Sequence, residues 1–213
     1  MRQAVVAGGT GLVGGHVLDE LAAWRVPTLA VARNEGAPRP GIRWQRVDLA
    51  ALTAKDIPPG TDAAFCCLGT TIKVAGSQAE FRRVDHDLVL AFAAACREAG
   101  VPQLHVVSAA GADPRSRIFY SRVKGETECD LEALGFPTLA LYRPSLLDGQ
   151  RTQSRAGEGG ALAVARLLRP ILPAGLRPVA ASAVARAMVR AAQSAPEKGV
   201  MRVSSKQIAR AGS

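Results

Sequence analysis

The stretch Gly8-Gly9-Thr10-Gly11-Leu12-Val13-Gly14 decides how this chain is read. It follows a short aliphatic run, Ala4-Val5-Val6-Ala7, and opens an amphipathic segment that continues to Trp24. Gly8, Gly11 and Gly14 have the spacing of a strand-to-helix loop. One glycine makes the tight turn, one lets backbone approach a pyrophosphate, and one lets the helix pack closely on the strand. Glycine-rich turns are common, so the context carries the inference: strand, loop and helix stand in the required order. Free N–H groups and the positive end of the helix then await a phosphate. Gly8, Thr10, Gly11, Leu12, Val13 and Gly14 are therefore the expected pyrophosphate contacts of a dinucleotide.

On either side of this loop aliphatic runs alternate with longer segments of helical period, the pattern of βαβ units and a parallel sheet covered on both faces. The runs predict strands at 3–7, 28–33, 43–48, 63–68, 103–108 and 138–142, and helices at 12–24, 78–99 and 117–134. Gly100 and Gly135, each closely followed by a proline, mark two helix ends. The fold class expected is α/β, a Rossmann-type doubly wound parallel sheet in one domain. Residues 1–150 form its nucleotide-binding core, and 151–213 a small C-terminal, substrate-side region. That region reads as a mobile loop over 151–160, helical segments near 161–168 and 180–193, a short strand at 200–203, and a last helix from Ser204.

Composition narrows the classes. The 213 residues are 48% hydrophobic, enough for one sizeable core, and contain no apolar run long enough to span a membrane. The segment ahead of Gly8 is too short for a signal peptide, so a cytoplasmic location is the expectation. Cys66, Cys67, Cys96 and Cys129 lack the spacing of a zinc site, so no metal is expected, and mostly buried free thiols fit a reducing compartment. The net charge of +9 raises nucleic acid as a partner, yet the basic residues are dispersed and not interleaved with aromatics. Nucleic-acid binding is set aside, and no membrane partner is expected. His16, His86 and His105 are scattered and read as structural, and Trp24 and Trp44 as packing residues.

Cofactor choice rests on the end of the second strand, Ala30-Val31-Ala32-Arg33-Asn34. A carboxylate there selects NAD through the ribose hydroxyl, whereas a basic residue accommodates the 2′-phosphate. Arg33 offers a planar fork suited to phosphate, so NADP(H) is expected. Asp48, closing the third strand, is placed near the adenine. Leu68, Gly69 and Thr70, closing the fourth, line the adenosine ribose and pyrophosphate.

Tyr120-Ser121-Arg122-Val123-Lys124 sets a tyrosine and a lysine four residues apart, on one helix face. The helix follows the fifth strand and lies beside Val107-Ser108-Ala109-Ala110-Gly111. A cationic lysine there favours the phenolate and lets the tyrosine pass a proton to or from a carbonyl or alcohol oxygen. With Cys67-Leu68-Gly69-Thr70-Thr71, Ala75-Gly76-Ser77, Val84-Asp85, Gly111-Ala112-Asp113, Lys124-Gly125-Glu126 and Arg143-Pro144, the chain resembles the short-chain dehydrogenases/reductases. It is most similar to their atypical, Tat-interacting-protein-like subgroup. The resemblance is firm over residues 1–150 and loose beyond.

That resemblance implies NADP(H) binding and a Tyr-x-x-x-Lys site in which Tyr120 and Lys124 act on the substrate. Lys124 also touches the nicotinamide ribose, and the main chain at Arg143 passes the carboxamide. Two departures stand out. Where the family often has a serine pair this chain has Ser108-Ala109, so Ser108 is the candidate third catalytic group or a structural residue. Where many members carry an asparagine it has Asp85, a proton-relay residue or a helix cap. The resulting expectation is an oxidoreductase that reduces a small-molecule carbonyl or quinone by hydride transfer. The alternatives are an NADP(H)-sensing regulatory or scaffold protein with little catalysis, and a sugar-nucleotide epimerase, for which the C-terminal region leaves little room. A homodimer is the oligomer the resemblance suggests; no exposed apolar patch in the sequence identifies its interface.

Overall fold

Successive side chains along each central strand go to opposite faces of the sheet, and both faces are buried. The structure is a computed structural model and describes residues 1–148, 178–194 and 198–212. In β1 (Ala4–Ala7) Val5 and Ala7 face one layer and Ala4 and Val6 the other, and all four are fully buried. β2 (Thr28–Ala32), β4 (Ala63–Cys66), β5 (Gln103–Val107) and β6 (Thr138–Arg143) follow the same rule. Strands apolar on both faces belong to a parallel sheet clothed with helices on each side. With β3 (Ile42–Arg46) and β9 (Gly199–Ser204) they form a seven-stranded sheet in the order β3-β2-β1-β4-β5-β6-β9, every pair parallel. The expected α/β Rossmann-type sheet is thus the observed one.

On one face lie α4 (Leu88–Glu98) and α5 (Phe119–Ala133), burying Val89, Phe92, Ala93, Cys96 and Leu131 against Val5, Val31, Leu104 and Leu139. The other carries α1 (Leu12–Ala23), α6 (Ala181–Gln193) and α7 (Ser205–Ala211). Val184, Met188 and Val189 of α6 pack in one cluster with Val17, Leu18 and Leu21 of α1. Each such side chain contributes about 1.5–3 kcal/mol, more than helix propensity could. The described C-terminal elements therefore complete the sheet and its covering layer. β7 (Leu147–Asp148) and β8 (Val179–Ala180) form a separate two-stranded parallel ribbon. The loop read at 151–160 and the helix near 161–168 lie outside the described residues.

The helix predicted over 78–99 is broken into three pieces: α3 (Gln78–Arg82), a π-helical turn (Arg83–Asp87) and α4, with a short α2 (Ile72–Ala75) before them. The π turn buries Asp85 and His86, two polar residues that a regular helix of this apolar period would not conceal. Strands β2, β4 and β5 stop one or two residues short of the predicted ends, because there the chain leaves the sheet to build loops. Trp44 packs over Gly9 and Gly36, as read, whereas Trp24 is more than half exposed at the end of α1.

His105 is wholly buried in β5, its ring centroid 5.2 Å from that of Phe65, with Nδ1 3.2 Å from the Tyr142 hydroxyl and Nε2 3.4 Å from Gln103 Oε1. Burial pushes its imidazole down to about 4 from an ordinary 6.5. Between those values the unfolded chain binds the extra proton and the native one does not. The contribution is complete above the unfolded value and is lost as pH falls toward the folded one. Urea unfolding at about pH 7 and about pH 5 is expected to show wild type losing roughly 2 kcal/mol more than His105→Gln over that interval; equal losses would contradict the assignment.

Candidate functional site

Strand order reverses between β1 and β4, and the loops leaving their carboxyl ends meet there. Gly8 adopts φ +80°, and a β-carbon on it would come within 2.5 Å of the Cys67 carbonyl group. A β-carbon on Gly14 would overlap the Gly8 carbonyl oxygen, so α1 starts as close to the loop as backbone allows. Gly11, the residue capping α1, donates its N–H to Gly8 O at 2.9 Å, and the intrahelical series starts at Gly15, which donates to Gly11 at 2.8 Å. The first-turn N–H groups of Leu12, Val13 and Gly14 precede that series, beside the exposed Thr10, with no acidic side chain in the turn to repel an anion. This cradle fits the pyrophosphate of a dinucleotide.

At the carboxyl ends of β2 and β3, Arg33, Asn34, Arg46, Val47 and Asp48 line an open hollow. Arg46 pairs in register with Ala32 at the end of β2 and lines the same hollow as Arg33. Sequence reading singled out only Arg33; Arg46 needed the strand register to be seen. Asp48 spends part of its carboxylate on capping the 3₁₀ turn Leu49–Ala51, accepting from Ala50 N at 3.1 Å.

After β4 the chain passes through Leu68, Gly69 and Thr70 to α2. Thr70 donates its N–H to Asp85 Oδ2 at 2.8 Å, and the other carboxylate oxygen, Oδ1, lies 2.8 Å from Lys124 Nζ. Both charged side chains are almost wholly enclosed. A β-carbon on Gly69 would stand 3.4 Å from Asp85 Oδ1 and 4.0 Å from Lys124 Nζ, so the loop, the carboxylate and the ammonium occupy one spot. Burial works against the Lys124 charge, but the Asp85 carboxylate outweighs it and holds the ammonium above its ordinary value. Burial pushes the neighbouring Cys66 thiol up to about 12, keeping it neutral.

Tyr120 and Lys124 occupy successive turns at the start of α5, as their spacing predicts. The Tyr120 ring leans on the fully buried Phe81 at 5.4 Å between centroids, and Phe119 does so at 5.8 Å. Farther along α5, Thr127 Oγ1 lies 3.1 Å from the Asp85 carbonyl and 2.8 Å from that of Val123. It thereby meets a carbonyl displaced by the π turn. One helix thus grips the π turn twice, through Lys124 and Thr127.

Ser108 stands in the wall of a very small cavity that Asp85, Lys124 and Glu128 also line. Its hydroxyl is engaged: Ser108 Oγ donates to Glu128 Oε1. Arg143 grips the same carboxylate, Nε donating to Oε1 at 3.0 Å and Nη2 to Oε2, while Arg202 Nε lies 3.8 Å away. The Arg143 guanidinium is therefore a clamp between β6 and α5, and Ser108 can reach a substrate oxygen only by leaving Glu128. Sequence reading passed over Glu128; its place four residues beyond Lys124, on the face that carries Tyr120, was the available signal.

A glycine cradle at the reversal point of a parallel sheet, with Lys124 beside the adjoining loop and Tyr120 one turn ahead of it on α5, defines a Rossmann-type dinucleotide-binding chain. Residues 8–195 match the family described as NAD(P)H-binding. Protein fmp52, mitochondrial, of Emericella nidulans is 34% identical over 168 residues, spanning 74% of this chain and 72% of that protein. HTATIP2 of Rattus norvegicus is 43% identical over 99 residues, 46% of this chain and 40% of that one. The chain belongs to this NAD(P)H-binding family, among the atypical short-chain dehydrogenases/reductases related to fmp52 and HTATIP2. Solved structures share its fold: MoeE5 in complex with UDP-glucuronic acid and NAD has a TM-score of 0.75 at 21% identity, covering 94% of this chain and 75% of that one. UDP-glucose 4-epimerase from Thermotoga maritima gives 0.71 at 16%, covering 95% and 76%. Among the described residues no helix is long and apolar enough to cross a membrane, and no cluster of three His, Cys, Asp or Glu side chains could hold a metal.

The Glu128 clamp separates two variants. Glu128→Ala strands Ser108 and a partly enclosed Arg143 and is expected to cost about 3 kcal/mol in denaturant unfolding. Ser108→Ala leaves the arginine pairs intact and is expected to cost about 1 kcal/mol. Comparable losses for the two would show that the arginine contacts contribute little.

Proposed function

We propose that this chain is an NADP(H)-dependent oxidoreductase that reduces the carbonyl or quinone group of a small-molecule substrate, with Tyr120 as the proton donor. The observation that carries this reading is the meeting of Lys124, Asp85 and the Gly69–Thr70 loop after β4, whose end backs the Gly8 turn, with Tyr120 one turn ahead of Lys124 on α5. When bound, the reduced nicotinamide supplies a hydride to the substrate carbon. Tyr120 O–H gives its proton to the oxygen as the carbon–oxygen π bond becomes a lone pair, yielding the alcohol and a phenolate. Lys124 stabilises that phenolate by its charge and holds the nicotinamide ribose, and the phenol is restored by a solvent proton. Gly8, Thr10, Gly11, Leu12, Val13 and Gly14 hold the pyrophosphate, with Leu68, Gly69 and Thr70 on the other side. Ser108, bonded to Glu128, braces the wall and leaves the substrate oxygen to Tyr120.

The preference for NADP(H) is supported by Arg33 and Arg46 at the hollow where an adenosine 2′-phosphate would fall. Charge-assisted bonds of about 1.5–3 kcal/mol make each arginine worth roughly ten- to a hundredfold in affinity. Arg33→Ala and Arg46→Ala are each expected to weaken NADPH binding by at least tenfold in a fluorescence titration while leaving NADH unchanged. Unaltered NADPH affinity in both would remove the basis for the assignment.

A second reading, an NADP(H)-sensing regulatory protein with little turnover, is favoured by one observation: the serine that would assist Tyr120 is bonded elsewhere and followed by Ala109. Single-turnover oxidation of NADPH against a panel of carbonyls and quinones distinguishes the two. The oxidoreductase reading expects turnover that falls at least a hundredfold in Tyr120→Phe; equal rates in wild type and variant would sink it.

A further inference from the structure

We infer that Asp85 is a positioning residue for the reaction, the buried counter-ion that sets the proton affinity of the Tyr120–Lys124 pair and ties it to the Gly69–Thr71 loop. The inference rests on the reading of Tyr120 as proton donor, but its chemistry can be tested without turnover.

The geometry carries it. Asp85 is 1% exposed, and its two oxygens serve two different elements: Oδ1 the Lys124 ammonium at 2.8 Å, Oδ2 the Thr70 main chain at 2.8 Å. A carboxylate taken out of water costs several kcal/mol unless paired, and here the pairing is local and complete in charge. The π turn brings the carboxylate inward, and Thr127 caps the displaced Asp85 carbonyl. An asparagine at this position could still accept from Thr70 N. It could not neutralise a lysine. With Asp85 the pair carries no net charge beside Tyr120; with a neutral residue it would carry +1. Removing a nearby negative charge lowers the proton affinity of phenol and ammonium together, whichever of them releases the proton first.

The surroundings leave Asp85 as the controlling charge. From β4, Cys66 stays protonated because burial raises its thiol to about 12. Across the small cavity Ser108 is bonded to Glu128, whose charge is met by Arg143 and Arg202. Elsewhere on α5, Glu126 pairs with Arg82 and lies 3.9 Å from Arg122, and on the far side of the π turn His86 sits between Asp87 and Asp130 at 2.7 and 2.9 Å. Thr70, on the loop that leaves β4, holds the other oxygen of the same carboxylate that meets Lys124, so the loop and the ammonium share one counter-ion.

The chain contains two tyrosines, and burial pushes the Tyr142 phenol far above its ordinary range. Ultraviolet phenolate absorption in an alkaline titration of the folded protein therefore reports Tyr120 alone, which Tyr120→Phe verifies by abolishing the signal. In Asp85→Asn the phenolate is expected to appear about one pH unit lower than in wild type, a tenfold change in acidity. In Lys124→Met, which keeps the carboxylate and removes the cation, it is expected to appear at higher pH. The falling alkaline limb of NADPH oxidation with an aromatic ortho-quinone should move down with Asp85→Asn by the same interval, whereas a merely structural loss would lower the rate at all pH values alike. Coincident titrations of wild type and Asp85→Asn would overturn the inference. Should Asp85→Asn not fold, an unmoved titration in Lys124→Met would overturn it equally. Absence of quinone turnover with shifted titrations would reject the oxidoreductase reading and leave the role of Asp85 standing.

Discussion

The contact between Gly14 and the Gly8 carbonyl is the constraint from which the rest of the architecture follows. No side chain fits between the start of α1 and the end of β1. The helix is therefore pressed onto the loop, its first N–H groups face the reversal point of the sheet, and Val13, Val17, Leu18 and Leu21 reach the layer beneath. Gly8 imposes the same closeness on the neighbouring strand, since its backbone lies against Cys67. Two strand ends and one helix start are thus locked within contact distance, and the dinucleotide cradle is what that locking leaves open.

The opposite layer is organised by charge. α5 buries two carboxylate partnerships along one flank: Lys124 with Asp85, and Glu128 with Ser108, Arg143 and Arg202. Removing one member of such a cluster costs more than the cluster contributes as a whole, because a charge is left behind in a poor solvent. The result is a helix whose rotation and height are fixed at two points. Tyr120, two turns before Glu128, inherits that rigidity and gains a ring contact with Phe81. A side chain held in this way needs little reorganisation if charge develops on it.

The layering of the sheet was legible in the residues because it depends on local period and on glycine placement. Strand runs such as Val5-Val6 and Leu139-Ala140-Leu141 are apolar in both directions, and Gly100 and Gly135 end helices with φ +81° and +65° as a left-handed cap requires. Tyr120 and Lys124 were legible because four residues make one helical turn. The π turn was not, since its hydrogen bonds differ from those of a helix by one residue and leave the apolar period nearly unchanged. Asp85 and His86 gave no trace of it, because they sit in a stretch already rich in charge, Arg82-Arg83-Val84-Asp85-His86-Asp87, ahead of the apolar run from Leu88. Arg46 was hidden because it and Arg33 are remote in sequence, and only the pairing of β2 with β3 brings both to one hollow.

A parallel α/β sheet, a glycine cradle at its first turn, and a tyrosine and lysine on one helix face follow from local pattern alone, because each depends on residues within a turn or two of one another. Tertiary structure decided what those groups are paired with. It gave Asp85 to Lys124 and Thr70, drew Ser108 and Arg143 onto Glu128, and brought Arg46 to the hollow that Arg33 lines. Every one of those partnerships spans separate elements, and a buried charge takes whichever partner the packing of the sheet brings within reach.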